Sequence, residues 1–142
     1  MERVAQCQCG SLRAIVSADA LYSYLCHCQA CQRRTGSVVH AGAYFLKDQV
    51  RPEGPSNVYT RMAPSGFAVH FYFCPTCGTS VYWKSDKRAD YLGVAVGCFA
   101  DPTYPAPKRS VWEESKHPWL GMPPDMVHLE LGVNPDGSPM TR

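Results

Sequence analysis

Polar and apolar residues alternate along residues 11–17 (SLRAIVS), the period-two pattern of a strand with one buried face. Residues 21–26 read as a second strand that delivers its last residue into the segment CHCQACQRRTG. Residues 29–35 fit a short helical turn, with Gly36 as the terminator that tolerates a left-handed backbone. Residues 38–46, 58–62 and 67–74 are rich in Val, Tyr and Phe and read as strands. Residues 79–84 (TSVYWK) alternate again, which makes CPTCG the loop of a hairpin. Residues 91–99 and 109–113 complete the predicted strands. The last thirty residues hold five of the twelve prolines and are expected to wrap the body rather than build it.

The pattern predicts a mostly β chain, and composition sharpens that expectation. At 142 residues and 45% hydrophobic, the chain suits one domain over 1–142 with a modest core. No internal repeat, linker or low-complexity tract interrupts it. Charged residues make up 18% and the formal net charge is +2, a balance that predicts solubility and no nucleic-acid partner. The start, MERVAQCQCG, has no apolar stretch of signal-peptide length, and nothing reaches the roughly 18 apolar residues of a membrane span. The expected location is therefore the cytoplasm, without membrane contact, where thiols stay reduced. Eight cysteines in such a chain call for a role other than disulfides.

Their spacing is Cys7-x-Cys9, Cys26-x-Cys28-x-x-Cys31 and Cys74-x-x-Cys77, with Cys98 alone. In Cys74-Pro75-Thr76-Cys77-Gly78 the two intervening residues let both sulfurs face one ion, and the glycine supplies the positive φ that closes such a turn. A tetrahedral four-cysteine site needs a second arm. Either Cys7 and Cys9 provide it, or two of Cys26, Cys28 and Cys31 do. Arithmetic favours the first, because it leaves the CxCxxC triad whole as a three-thiolate site with an open fourth position, the pattern of catalytic zinc. Cys98 reads as a buried thiol outside both sites.

Other residues have plainer readings. His27 stands between two ligands, where it could reach the same ion or relay a proton. His40, His70, His117 and His128 lack ligand spacing and read as surface or packing residues. Tyr44, Trp83 and Trp119 are candidates to line a site, although aromatics in a small β domain usually fill the core.

The succession CQCGSL, CHCQACQRRTGS, FCPTCGTSVYW, VGCFADP and SKHPWL resembles the glutathione-dependent formaldehyde-activating enzymes, a family that includes centromere protein V relatives. The likeness runs from Cys7 to about Trp119. It implies an Mss4-like β-tent fold, stabilised by zinc. It also implies two zinc ions per chain, one structural on Cys7, Cys9, Cys74 and Cys77, the other labile and catalytic on Cys26, Cys28 and Cys31. The implied activity is that of a carbon–sulfur lyase working on an adduct of glutathione and an aldehyde, with glutathione as co-substrate. Arg33 and Arg34, directly after the triad, are the natural partners for glutathione's carboxylates. The competing expectation is a zinc-stabilised module that binds a protein partner without catalysis. The oligomeric state is open.

Overall fold

The computed structural model describes residues 2–142, of which 38% are strand and 14% helix. The strands are β1 (Arg3–Gln6), β2 (Arg13–Val16), β3 (Tyr22–Cys26), β4 (His40–Leu46), β5 (Val50–Glu53), β6 (Asn57–Met62), β7 (Ala68–Phe73), β8 (Ser80–Ser85), β9 (Tyr91–Ala95), β10 (Arg109–Val111) and β11 (Val127–His128), with one α-helix, α1 (Gln29–Thr35). They fall into two compact units, one made of Met1–Leu21 and Ala43–Tyr104, the other of Tyr22–Gly42 and Pro105–Arg142. The division runs through β4. Each cysteine group lies within a single unit.

In the first unit β1, β2 and β5 form an antiparallel sheet, with Ala5 opposite Ala14 and Ile15 opposite Arg51. Strands β6 to β9 follow one another as an antiparallel meander, and β7 and β8 are the hairpin expected around CPTCG. The core gathers Ala5, Leu12, Val16, Phe45, Val81 and Val94, with Cys7 and Cys74 embedded among them. Phe45 has no exposed surface. Burying such a ring stabilises a fold by about 1.5–3 kcal/mol, and truncating it to alanine costs about 3–5 kcal/mol once the cavity is included. Trp83 lies against β9 at its register partner Gly93, where an added Cβ would stand 2.1 Å from the indole. Only glycine admits that approach. The same indole donates from Nε1 to the Tyr44 hydroxyl at 3.0 Å.

The second unit orders its strands β11-β10-β3 with both pairings parallel, so Cys26 faces Val111 and Ser110 faces His128. Helix α1 has the predicted limits. Cys28 caps its start by accepting the Cys31 N–H, and Gly36 ends it at φ 72 by donating its N–H to Gln32 O. A side chain at that left-handed residue would cost about 1–2 kcal/mol. Arg33 and Arg34 occupy the last turn, where cations complement the exposed carbonyls.

Three expectations need correction. The strand predicted over 91–99 ends at Ala95, and Val96–Phe99 is a 3₁₀ turn closed by the Ala100 N–H on Gly97 O. Strand β10 stops at Val111 because Trp112 takes φ 58, which no strand can continue. The proline-rich end does build structure. Its residues 127–128 form β11, and Leu129 N donates to Ser110 O at 2.9 Å. Strands β1 and β5 had no clear signal in the sequence. β1 buries only Ala5, and β5 contains Pro52, which a sheet accepts because β5 is an edge strand.

Candidate metal centres

The first group starts where β1 ends. Cys7 N–H donates to Leu12 O at 2.9 Å and Gly10 N–H to Cys7 O at 3.0 Å, folding CQCG into a tight turn whose Gly10 has φ 84. The second arm repeats this construction. Gly78, at φ 80, donates to Cys74 O at 2.9 Å, and the amides of Thr76 and Cys77 both point at the Cys74 sulfur at 3.4 Å. These turns bring the sulfurs of Cys7, Cys9, Cys74 and Cys77 within 4.8 Å of one another. Cys9 Sγ is 3.6 Å from both Cys7 Sγ and Cys74 Sγ. Four sulfurs on a tetrahedral zinc, each about 2.3 Å from the ion, would lie about 3.8 Å apart. A disulfide would place them about 2.05 Å apart, and no disulfide joins any of the eight cysteines. The donor set fits a closed metal site.

Two hydroxyls complete this group. Ser11 Oγ lies 3.1 Å from Cys9 Sγ and 3.2 Å from Cys74 Sγ, while Thr79 Oγ1 lies 3.4 Å from Cys77 Sγ. Thr79's hydroxyl, followed by nearby amides, pulls the Cys77 thiol down to about 5. Ser11's hydroxyl, with the Cys77 amide, pulls Cys74 down to about 7. Thiolates are the ligand form, so these donors prepare the group for a cation. Both residues escaped the sequence reading. Their signal was a repeat, Cys9-Gly10-Ser11 and Cys77-Gly78-Thr79, in which a hydroxyl follows each cysteine–glycine step.

The second group comes from one short segment. Cys26 ends β3, Cys28 caps α1 and Cys31 lies in its first turn, with the three sulfurs within 4.8 Å. Cys26 and Cys31 are buried and Cys28 is half-buried. The Cys31 N–H donates to Cys28 Sγ at 3.3 Å. Hydrogen bonds with Cys28 and Cys31, then burial, push the Cys26 thiol strongly up. Three sulfurs packed together in a buried place cannot all ionise unless a cation joins them. The chemistry of this set also fits a metal, with three donors rather than four.

His27 is not part of that group. It has no exposed surface, its Nε2 lies 2.9 Å from Ser110 Oγ, and burial holds the imidazole below its usual range. Gln32 ties the segment down: its Nε2 donates to His27 O at 2.8 Å and Ser115 O at 3.2 Å, while Oε1 faces His117 Nε2 at 2.9 Å. The two arginines diverge. Arg33 is exposed, whereas Arg34 is half-buried with Nε and Nη2 sealed from solvent.

The remaining candidates take ordinary places. His70 bridges Thr60 and Asp86 at the surface, His128 meets Glu113 at 2.6 Å, and His40 is buried. Cys98 is half-buried, not buried as expected, and donates to Ser80 O at 3.7 Å. Trp83 does fill the core, but Trp119 is 71% exposed and does not. Among the described residues no helix is long and apolar enough to cross a membrane.

A crystal structure of a Rhodobacter sphaeroides protein matches with a TM-score of 0.53 at 23% identity, covering 69% of this chain and 86% of that one. At that identity the likeness concerns the fold. No curated protein matches the chain. The profile described as glutathione-dependent formaldehyde-activating enzyme matches residues 2–115. With a profile match over most of its length, this chain belongs to the glutathione-dependent formaldehyde-activating enzyme family.

Proposed function

We propose that the chain is a zinc-dependent enzyme of carbon–sulfur lyase type, acting on a glutathione–aldehyde adduct such as S-hydroxymethylglutathione. The observation that carries this reading is the incomplete donor set: among the described residues, Cys26, Cys28 and Cys31 converge with no fourth protein ligand in their group. A scaffold needs only the closed group of Cys7, Cys9, Cys74 and Cys77 to hold its fold. Zinc held by the triad would supply Lewis acidity, ionising a coordinating thiol and polarising a neighbouring carbonyl.

The chain's own residues do the rest. Cys26, Cys28 and Cys31 would hold the metal from the end of β3, the cap of α1 and its first turn. Gln32 fixes the loop between these ligands through His27 O, Ser115 O and His117. Arg33, which is open to solvent, would meet the carboxylates of glutathione. In the synthetic direction the thiol S–H bond breaks, a bond from sulfur to the aldehyde carbon forms, and the proton ends on the former carbonyl oxygen. The lyase direction reverses each change.

One observation favours the other reading, a zinc-stabilised module for a protein partner. Strand β6 exposes Val58, Tyr59 and Met62 at the edge of the meander. A single experiment addresses both. Exchange between formaldehyde and its glutathione adduct is followed by NMR with the zinc-loaded chain and with Cys28→Ser. Acceleration by the wild type that the variant lacks supports the enzyme; an exchange rate equal to that of buffer removes it.

A further inference from the structure

Arg34 follows Cys31 by three positions on α1, so the two side chains share a face of the helix. Cys31 is buried there, and two nitrogens of the Arg34 guanidinium are withdrawn from solvent beside it. The arginine's charge is thereby held close to the cysteine group, since side chains three apart on a helix have Cβ atoms about 5–6 Å apart. It also reaches His40. Burial first, then Arg34, hold that imidazole down to about 3, so it is neutral at physiological pH and adds no second charge. Arg33, one residue earlier, faces solvent. One fixed cation is thus set against the triad, and its neighbour is not.

The charge count gives this placement a consequence. Three thiolates on a divalent ion carry a net charge of minus one. A fourth thiolate makes it minus two, which repulsion opposes wherever water is excluded. A neutral donor adds nothing. A guanidinium beside the centre offsets one negative charge without occupying a coordination position, and it cannot lose its proton.

We propose that Arg34 sets the ligand class of the triad's fourth position, favouring a thiolate over a neutral donor through its charge on the centre rather than by gripping a substrate carboxylate. The inference rests on the reading of Cys26, Cys28 and Cys31 as a metal site. Binding is balanced simply: the incoming thiol transfers its proton to buffer as its sulfur coordinates, and nothing is oxidised or reduced.

The test loads the full chain with Co²⁺, whose thiolate charge-transfer absorption reports each added sulfur. Wild type, Arg34→Gln, Arg34→Lys and Arg33→Gln are titrated with 2-mercaptoethanol, which has no carboxylate, with glutathione, and with imidazole as a neutral donor. Arg34→Gln is expected to weaken both thiols by about tenfold or more while sparing imidazole. Arg34→Lys keeps the charge and should recover most of the affinity, which also separates the effect from a damaged fold. Arg33→Gln should weaken glutathione alone. Loss of glutathione binding only in Arg34→Gln, or thiol affinities equal to those of wild type, overturns the proposal and leaves the metal site standing. Uptake of only one cobalt per wild-type chain overturns the metal site itself, and this inference with it.

Discussion

The imidazole Nε2 of His27 lies 2.9 Å from the hydroxyl of Ser110, with both residues fully buried. Ser110 also hydrogen-bonds the Glu113 side chain, and this bond with that from His128 keeps the carboxyl below its usual range despite partial burial. A serine hydroxyl can donate or accept, so it pairs with the His27 ring nitrogen in either tautomer. The His27 Nδ1 is buried with no hydrogen-bond partner. The residue between two ligands is thereby clamped to β10, the strand that pairs with β3.

Ser110→Ala removes the hydroxyl and leaves the buried His27 Nε2 without its partner. The expected cost is about 1–3 kcal/mol, read by urea unfolding of zinc-loaded protein. Stability equal to that of wild type would show that the clamp contributes nothing.

Cys9→Ser or Cys77→Ser takes one ligand from the closed group and is expected to abolish the folded state. Structural zinc contributes roughly 10–16 kcal/mol in small zinc-dependent peptides, against about 5–15 kcal/mol for the total stability of a typical domain. Circular dichroism and zinc content check this together. A folded variant with full zinc would show that the group does not hold the ion.

The two groups should differ in lability. The closed group joins cysteines from residues 7–9 and 74–77, so its ion can leave only when those distant turns separate. The triad spans six residues and offers three donors. Mild chelation is therefore expected to remove about one zinc per chain while the dichroism persists, and Cys28→Ser should resemble that depleted protein. Simultaneous loss of both ions and of the fold would contradict the division.

Acid should weaken the fold through His40, whose imidazole is held down to about 3, first by burial and then by Arg34, against the opposing pull of Cys28. Above pH 6.5 His40 is neutral whether the chain is folded or not. Below it the unfolded chain takes a proton that the folded one refuses, so this stability is lost as the pH falls from about 6.5 toward 3. Unfolding free energy should drop with a slope of up to about 1.4 kcal/mol per pH unit more in wild type than in His40→Leu. Parallel slopes over that range would assign the acid sensitivity to other groups.

Much of the site was legible because its chemistry is local. Cysteines two or three residues apart, as in the arms Cys7/Cys9 and Cys74/Cys77 with a glycine of positive φ after each, can face one ion whatever surrounds them. Helix α1 was equally local: its first residue follows a cysteine cap and its last precedes Gly36. The grouping of Cys7 and Cys9 with Cys74 and Cys77 came from counting donors, and the turns at the ends of β1 and β7 do bring those sulfurs together.

What lay outside the sequence's reach depended on partners far along the chain. β10 pairs in parallel with β3 across more than eighty residues, and no local pattern announces that partner. The serine that clamps His27 came with that pairing. β1, β5 and β11 are short strands whose partners, rather than their own alternation, make them strands. Arg33 and Arg34 are identical in type and adjacent in sequence; the turn of α1 sends one to solvent and seals two nitrogens of the other beside the cysteines. Spacing along the chain determined which atoms can bind a metal. Burial, settled only when distant strands pair, decided which charges those atoms feel.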